Sequence, residues 1–320
     1  MGGRWLVTGG AGYIGAHVVR ALLASGREAV VVDDFSTGLW ARLPDDVPVL
    51  RADVTEVDAI TQVLRQTQPT GVVHVAGKKS PTESVLDPLL YARENMAGVT
   101  ALLTAMRATG GSRVLFSSSC AVYGTPASAT VGEDDPKLPE SPYGDSKWYG
   151  ERLLAAAARA YGLGVISLRY FNVVGAAEPR LADTGTHNLV PLVLRALRDG
   201  VSPQVFGTDY PTPDGTCVRD YVDVEDLADA HVRAVEALED GASSAAYNVG
   251  RGEGASVLTV LDLLRSTTGR DFTHQVCPRR PGDPAWVVGR VDRIAAELGW
   301  TAQRDLATTI GSAWRAERAR

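Results

Sequence analysis

The chain has 320 residues, of which 45% are hydrophobic and 22% charged, and these fractions are typical of folded globular proteins rather than of disordered chains. At roughly 150 residues per domain, the length allows one large domain or two. No run of about 18 apolar residues is present, which argues against a membrane-spanning helix. The sequence also begins without the apolar segment of a signal peptide. With 32 basic and 38 acidic residues, the net charge is −6, which argues against a general nucleic-acid-binding protein.

The three cysteines, Cys120, Cys217 and Cys277, are widely separated in the chain. Their odd number and spacing argue against a disulfide framework or a zinc site and fit a reducing compartment. The five histidines likewise show no metal-ligand spacing. His74 lies in an apolar stretch and is expected to be a core residue rather than a catalyst. These observations favour a cytoplasmic enzyme without a metal.

The first half of the chain alternates apolar, strand-like segments with helix-like ones. Strands are predicted at Trp5–Thr8, Ala29–Asp33, Gly71–Ala76 and Arg113–Ser118, and helices at Tyr13–Ser25, Val57–Gln66 and Asp87–Thr109. A further helix begins near Tyr143 and runs to Tyr161, and the strand Gly164–Arg169 follows it. Short, almost wholly apolar strands between helices indicate a doubly wound parallel sheet of the α/β class, with helices on both faces.

The composition changes after Asn172. Residues 174–191 and 202–216 are rich in Gly, Pro, Asp and Thr, which predicts loops and short elements. A helix at Asp223–Glu239, a strand at Ala246–Val249 and a helix at Val257–Thr268 with Gly269 as its C-cap follow. We therefore predict a dinucleotide-binding domain in residues 1–173, with a contribution from about 218–243, and a smaller α/β substrate-binding domain in 174–320.

Three glycines, Gly9, Gly12 and Gly15, lie between the first strand and the first helix. They allow a tight turn, a close backbone approach to a pyrophosphate and close packing of the helix on the sheet. The N-terminus of the helix offers free N–H groups and partial positive charge to phosphates. The second strand ends in Asp33 and Asp34, 18 residues beyond Gly15. A carboxylate there accepts hydrogen bonds from the adenosine ribose and repels a 2′-phosphate, which favours NAD over NADP.

Other predicted strand ends supply further candidates for cofactor contact, since ligands of open α/β sheets bind at the carboxyl ends of the strands. Asp53 and Val54 follow the predicted third strand, and Val75, Ala76 and Gly77 close the fourth.

Tyr143 and Lys147 are four residues apart and are therefore expected on one face of a helix. A tyrosine with a pKa near 10 needs a shift of about 3 units, or about 4 kcal/mol, to act as a base at neutral pH. An ammonium at ~6 Å with an effective dielectric of about 20 supplies roughly 2.8 kcal/mol. The oxidised nicotinamide ring is expected to supply the remainder. Ser119, within Ser117–Ser119 at the end of another strand, places a hydroxyl where it can assist proton transfer.

These features resemble the UDP-glucose 4-epimerase family, which belongs to the extended short-chain dehydrogenases/reductases. The resemblance extends over nearly the whole chain through VTGGAGYIGAH (7–17), HVAG with Lys79 (74–79), FSSSCAVYG (116–124), SPYGDSK (141–147), LRYFN (168–172), DYPTPDGTCVRDY (209–221) and PRRPGD (278–283). The last two segments are the most specific to nucleotide-sugar 4-epimerases. The resemblance implies a Rossmann-type fold.

The resemblance also assigns roles to individual residues. Tyr143 would be the base at the C4 hydroxyl, Ser119 would bind the same oxygen, and Lys147 would hold the nicotinamide ribose. The cofactor-contacting positions are Gly9, Gly12, Tyr13, Ile14, Gly15, Asp33, Asp34, Phe35, Ser36, Thr37, Gly38, Asp53, Val54, Val75, Ala76, Gly77, Lys79, Asn95, Ser119, Tyr143, Lys147 and Phe171. The sugar-nucleotide positions are Lys79, Ser119, Tyr143, Asn172, Asn188, Gln204, Val205, Phe206, Arg219, Arg280, Asp283 and Val287.

The implied reaction interconverts UDP-glucose and UDP-galactose through a 4-keto sugar on bound NAD, in galactose metabolism. Arg219 and Arg280 suit the negative charge of the diphosphate, although a salt bridge to a neighbour such as Asp220 or Asp283 is the alternative role for either arginine. Val287 occupies a position at which a bulky residue would exclude an N-acetyl group. Activity on UDP-N-acetylglucosamine and UDP-N-acetylgalactosamine is therefore also expected, and a UDP-xylose/UDP-arabinose pair stays open.

The rival functions are another NAD-dependent nucleotide-sugar oxidoreductase, such as a dehydratase or decarboxylase, and a non-catalytic sensor. Related dehydratases carry an acidic residue just after the catalytic Ser or Thr, whereas Cys120 and Ala121 follow Ser119. A catalytically inactive dinucleotide sensor would be expected to lack the Ser, Tyr or Lys. The resemblance further implies a homodimer, formed through the helices Asp87–Thr109 and Tyr143–Tyr161, although the apolar residues of these helices could equally pack within one subunit.

Overall fold

The computed structural model describes residues 2–185, 188–280 and 282–320. The chain divides into two compact units. The first comprises the segment up to Val122 together with Ser141–Arg169 and Ala228–Tyr247, and the second comprises Tyr123–Glu140, Tyr170–Leu227 and Asn248–Arg320. The expected division had a boundary at residue 173 and a contribution from about 218–243 to the first domain. In the structure the chain crosses between the units several times, and Ala228–Tyr247 joins the first unit.

The strands are β1 (Arg4–Thr8), β2 (Glu28–Asp33), β3 (Val49–Arg51), β4 (Gly71–His74), β5 (Arg113–Ser119), β6 (Thr130–Val131), β7 (Gly164–Tyr170), β8 (Asn172–Val174), β9 (Gln204–Phe206), β10 (Val218–Asp223), β11 (Ala245–Val249), β12 (Gly254–Ser256), β13 (Gln275–Cys277) and β14 (Trp286–Gly289). The α-helices are α1 (Tyr13–Ala24), α2 (Val57–Thr67), α3 (Pro81–Leu86), α4 (Pro88–Tyr91), α5 (Ala97–Thr109), α6 (Pro142–Tyr161), α7 (Leu189–Asp199), α8 (Val224–Glu239), α9 (Val257–Thr268), α10 (Asp292–Leu298) and α11 (Leu306–Arg318). Within the described ranges, no helix has the length and apolar character needed to cross a bilayer.

A seven-stranded sheet in the order β11-β7-β5-β4-β1-β2-β3 forms the first part of the fold. The pairings from β3 through β2, β1 and β4 to β5 are parallel. The strands consist largely of buried Val, Leu and Phe because helices cover both faces of a sheet of this kind. The strand order reverses at β1, and the strands next to this switch point end in the glycine turn, Asp33 and Val75. The expected doubly wound α/β class is confirmed.

The second unit has a smaller sheet in the order β12-β10-β14-β6, and β8 also pairs with β10. The strand pair β13-β9 lies apart from this sheet. Residues of α7, α9 and α11 form a separate hydrophobic core with Val174, Val205 and Tyr221. Because β6 pairs with β14, residues 123–140 belong to this unit although they lie early in the chain.

The predicted helix Asp87–Thr109 is not a single α-helix. It consists of α4, a π-helical turn at Ala92–Met96 and α5. A further helix that the spacing did not predict, α3, precedes it, and the Ser80 side chain caps α3 by accepting from the Glu83 N–H. The predicted end of α9 is confirmed, because Gly269 adopts the left-handed conformation with φ +65°.

Candidate active site

The glycine turn after β1 packs tightly against the end of β4. Gly9 has φ +70°, and a Cβ at this position would lie 2.7 Å from the Ala76 nitrogen. A Cβ at Gly15 would lie 2.1 Å from the Gly9 carbonyl oxygen. Helix α1 then begins at Tyr13 without a capping side chain or an acidic residue in its first turn. The partial positive charge of a helix N-terminus suits an anion such as a dinucleotide pyrophosphate.

Asp33 joins this turn to the end of β2. Its Oδ2 accepts a 2.9 Å hydrogen bond from the Ala11 N–H, and its Oδ1 accepts one of 2.9 Å from the Phe35 N–H. Burial raises the pKa of this carboxyl despite the two hydrogen bonds. Gly38 lies against it, since a Cβ there would be 2.6 Å from Oδ1. Each carboxylate oxygen keeps a further lone pair for a ribose hydroxyl.

The other predicted cofactor residues of the first unit follow the ends of neighbouring strands. Asp34 accepts from the N–H and Oγ of Ser36, and Asp53 accepts in the same way from Thr55. Both nitrogens that follow β4, those of Val75 and Ala76, donate to the Thr8 carbonyl. The remaining side chains are variously placed: Tyr13 is buried, Ile14, Phe35 and Val54 are half-buried, and Ser36 and Thr37 are exposed.

The structure brings Tyr143 and Lys147 together on α6. Tyr143 lies in the first turn of α6, which Ser141 caps by accepting from the Gly144 N–H. The Lys147 Nζ lies 6.0 Å from the Tyr143 ring centroid and donates a 2.9 Å hydrogen bond to the Ser117 carbonyl. Ser119, two residues farther along β5, is 7% exposed and accepts from the Ala121 N–H at 3.2 Å.

Burial controls the charges around this site. It lowers the pKa of Lys147 to about 8, because its ammonium is removed from water. Burial and the Lys147 charge together lower the pKa of His74 to about 3, so that this imidazole is neutral. The Nδ1 of His74 lies 2.8 Å from the Thr8 Oγ1. His74 is thus a hydrogen-bonded core residue, as predicted.

Asn95 and Lys79 belong to the same region. Asn95 lies in the π-helical turn and is 5% exposed. Gly77 has φ +148°, and a Cβ there would be 2.9 Å from the Asn95 Oδ1 and 3.8 Å from the Lys147 Nζ. The Nζ of Lys79 lies 5.8 Å from the ring centroid of Tyr13. The side chains of the π-helical turn therefore reach the end of β4.

The predicted sugar-nucleotide residues of the second unit include a short ion pair. The Arg219 guanidinium donates to the Asp283 carboxylate and to the Val218 carbonyl, so the salt-bridge alternative for this arginine is observed. The Arg280 guanidinium carbon lies 3.8 Å from the Phe206 ring centroid. An arginine and an aromatic face are thus in contact at the end of β9.

The other second-unit residues are placed as follows. Asn188 donates to the Asp183 carboxylate at 2.8 Å, and Asn172 is hydrogen-bonded to the Tyr221 hydroxyl. The side chain of Val205 lies in the core, so only its backbone is left for a ligand, whereas Gln204 is exposed. Phe171 packs on Gly289, where a Cβ would lie 2.6 Å from its ring, and Val287 is buried in β14 with Arg219 as its register partner.

The sequence did not reveal the buried network beneath α6. Glu151, one turn beyond Lys147, accepts from Arg169 at 2.6 Å and from the Ser118 hydroxyl at 2.5 Å. The i, i+4 spacing from Tyr143 through Lys147 to Glu151 was a possible signal. Tyr91 was also missed, and its ring centroid lies 6.2 Å from that of Tyr143. Among the described residues, no group of His, Cys, Asp and Glu suits a metal; His187 lies outside them.

Comparisons with known proteins identify the family of the chain. The sequence model of the NAD dependent epimerase/dehydratase family matches residues 5–250. The UDP-glucose 4-epimerase of Azospirillum brasilense is 44% identical over 308 residues, covering 94% of this chain and 88% of the relative.

Two solved structures extend the comparison. The Stenotrophomonas maltophila UDP-glucose-4-epimerase with bound NAD and formylated UDP-arabinopyranose superimposes with a TM-score of 0.95 at 36% identity, covering 99% of this chain and 98% of the other. The Bifidobacterium longum UDP-glucose 4-epimerase in complex with NAD+ and UDP gives a TM-score of 0.94 at 33% identity, with the same coverage.

Proposed function

Since the chain belongs to the NAD dependent epimerase/dehydratase family, we propose that it interconverts UDP-glucose and UDP-galactose by inverting the configuration at C4 of the sugar. The family, the use of NAD and the α/β fold expected from the sequence are confirmed. The observation that carries the proposal is the buried pair on α6, in which an ammonium lies 6.0 Å from the ring of a tyrosine. This pair supplies a base for the sugar hydroxyl.

Tyr143 takes the proton of the C4 hydroxyl, and Ser119 hydrogen-bonds the same oxygen. The Lys147 ammonium favours the phenolate because it is a positive charge nearby. At ~6 Å and an effective dielectric of about 20, this attraction is roughly 2.8 kcal/mol, or about 2 pKa units. It requires a protonated lysine, and because the Lys147 pKa is about 8, the help is present at neutral pH and fades in more alkaline solution.

The first unit holds the cofactor through the glycine turn, the N-terminus of α1 and Asp33. Two observations support the fit: no Cβ can be accommodated at Gly9 or Gly15, and the start of α1 has no capping side chain. When bound, NAD would supply the hydride acceptor and donor at C4 of the sugar. Asp33 accepts from the adenosine ribose, and Lys147 from α6 holds the nicotinamide ribose.

The second unit binds the nucleotide part of the substrate. Arg219 and Arg280 face the diphosphate, because guanidinium groups match phosphate oxygens in charge and geometry. Asn172, Asn188 and Gln204 supply amides, and Phe206 supplies an aromatic face for the uracil. The sugar must turn over within the site while the nucleotide stays fixed, so these contacts retain the ketone.

We propose a substrate range that includes N-acetylated sugars. Val287 is buried in β14 and is smaller than the aromatic residue that would exclude an acetamido group. UDP-N-acetylglucosamine and UDP-N-acetylgalactosamine are therefore proposed as a second substrate pair, and UDP-xylose and UDP-arabinose are the alternative.

Elimination of water is disfavoured because Cys120 and Ala121 follow Ser119 where a dehydratase carries an acid.

We propose further that the protein is a cytoplasmic homodimer acting in galactose metabolism. Its three cysteines are free thiols, in keeping with a reducing compartment. A groove of about 580 Å³ runs along α6 and is lined by Trp148, Tyr149, Leu153, Ala155 and Ala156, flanked by Asp145, Arg152 and Arg159. An apolar helix face with charged flanks suits a two-fold contact with a second copy of the chain.

Tyr143→Phe tests the proposed function. We expect conversion of UDP-galactose to UDP-glucose, followed by chromatography, to fall at least about 100-fold, because general base catalysis contributes about that much or more. Thermal unfolding should be little changed. The same assay on the wild type, run with plain, N-acetylated and pentose substrates, determines the substrate range. Turnover near that of the wild type in Tyr143→Phe would remove Tyr143 from the role of base.

A further inference from the structure

The Tyr91 hydroxyl lies within hydrogen-bond distance of both backbone groups of one residue in the segment after β4, Ser80. The Ser80 N–H donates to the Tyr91 hydroxyl at 2.9 Å. The same hydroxyl lies 2.7 Å from the Ser80 carbonyl and 2.8 Å from a Glu83 carboxylate oxygen, and it donates its single proton to one of these acceptors. Tyr91 is fully buried, and burial together with Glu83 raises its pKa. It is therefore a neutral phenol.

Asn95 lies one turn beyond Tyr91 and hydrogen-bonds the backbone of Lys78, two residues before Ser80. The Lys78 N–H donates to the Asn95 Oδ1 at 2.7 Å, and the Asn95 Nδ2 donates to the Lys78 carbonyl at 3.0 Å. Residue 78 is thus held at both its N–H and its carbonyl, and residue 80 is held at its N–H, with its carbonyl 2.7 Å from the Tyr91 hydroxyl. Only Lys79 lies between them. We call Tyr91 and Asn95 the clamp.

The clamp also contacts the catalytic helix. The Asn95 Nδ2 donates to the Ser146 hydroxyl at 2.9 Å, and that hydroxyl donates to the Tyr143 carbonyl at 2.7 Å. The Tyr91 and Tyr143 rings meet edge to face, with an interplanar angle of 81°. Asn95 lies within the π-helical turn and Tyr91 directly precedes it, and such turns occur often at functional sites. The clamp therefore fixes residues 78–80 relative to the first turn of α6.

The side chain of Lys79 is the group that this arrangement orients. Its backbone is fixed on both sides, whereas the residue itself is exposed and its Nζ lies 5.8 Å from the Tyr13 ring centroid, at the start of α1. We propose that Tyr91 is a positioning residue, which together with Asn95 holds the Lys79 ammonium at the glycine turn for an anionic group of the dinucleotide. This inference rests on the proposed function, because the ligand is the cofactor of that site.

A double-mutant cycle with Tyr91→Phe and Lys79→Met tests the proposal. Tyr91→Phe keeps the ring that contacts Tyr143 but removes the hydroxyl that binds Ser80. The two readouts are the rate at which the purified protein loses NAD on dialysis and the KM and kcat for UDP-galactose. We expect Tyr91→Phe to release NAD roughly tenfold faster, as the loss of about 1.4 kcal/mol of hydrogen bonding implies. In the double variant, NAD should be released at nearly the same rate as in Lys79→Met alone.

Two controls keep the result specific. Tyr161→Phe removes the hydroxyl of a different tyrosine, at the far end of α6 from Tyr143, where it lies 3.4 Å from Arg107. This variant should release NAD at the wild-type rate. If Tyr91→Phe cannot be purified, Ser146→Ala replaces it in the cycle, because it removes the anchor of Asn95 on α6.

The outcomes separate cleanly. Independent effects of Tyr91→Phe and Lys79→Met, whose rate factors multiply in the double variant, would overturn the proposal. Wild-type NAD retention in Tyr91→Phe would do the same. A wild-type protein that retains NAD but does not turn over UDP-galactose would instead contradict the proposed function.

Discussion

Lys147 in the first unit and Arg219 in the second are both mostly buried cations, but their partners differ. Lys147 donates to a neutral acceptor, the Ser117 carbonyl, and burial lowers its pKa to about 8. Arg219 is paired with the Asp283 carboxylate, which helps to raise its pKa. Both charges are desolvated, but one lies against a neutral carbonyl and the other against a carboxylate.

The different partners of the two cations suit two different functions. A charge that favours a phenolate must act over about 6 Å, and a nearby carboxylate would cancel its field. A charge that binds a diphosphate needs a fixed direction, and a carboxylate partner fixes the planar guanidinium while its remaining N–H groups stay available. Under the proposed function, catalysis in the first unit depends on an uncancelled charge, and binding in the second depends on an oriented one.

The largest expected effect concerns the desolvation of Lys147. Its pKa is 10.5 when exposed and about 8 in the fold, so the folded state bears a cost of about 3 kcal/mol below pH 8. Between pH 8 and 10.5 the unfolded chain holds this proton and the folded chain does not, so the free energy of unfolding gains a term that rises with pH. Lys147→Met lacks this term.

Urea unfolding of the wild type and of Lys147→Met, both freed of nucleotide, measures this pH-dependent term in the free energy of unfolding. From pH 8 to 9.5 the wild type should gain roughly 2 kcal/mol relative to Lys147→Met. Parallel curves for the two proteins would mean that the ammonium is solvated, and the contrast between the two cations would be lost.

A smaller effect is expected when Arg219 is changed. Arg219→Met should raise the KM for UDP-galactose about 30-fold with a modest change in kcat, since hydrogen bonds to charged groups contribute about 2 kcal/mol. Arg279→Met is the matched control, because Arg279 pairs with Asp209 at 2.7 Å and is 43% exposed. Steady-state kinetics with UDP-galactose measure KM and kcat for the two variants. An unchanged KM in Arg219→Met would leave Arg219 a structural ion pair.

Much of the first unit was predictable from the sequence because its site residues occupy the ends of regular elements. Apolar strands of four or more residues, a glycine spacing and the i, i+4 pair Tyr143/Lys147 are local signals. The π-helical turn was not predictable, since the apolar spacing continues through it from α4 into α5. The clamp was not predictable either, because hydrogen bonds from Tyr91 and Asn95 to the backbone produce no periodic pattern in the sequence.

The second unit was less accessible to this reasoning. Its strands β9 and β13 have three residues each and pair across about 70 positions of the chain, with Gln204 opposite Gln275. The Arg219–Asp283 pair likewise joins residues 64 positions apart. Short elements brought together by topology carry little local signal, so these residues were found through the family resemblance rather than through spacing.

The fate of the hydrogen at C4 tests the central claim most directly. UDP-galactose carrying deuterium at C4 is incubated with the protein in ordinary water, and the UDP-glucose formed is examined by mass spectrometry. Because the hydride leaves and returns within one site, the product should retain the deuterium at C4. Replacement of the deuterium by hydrogen from the solvent would contradict the account.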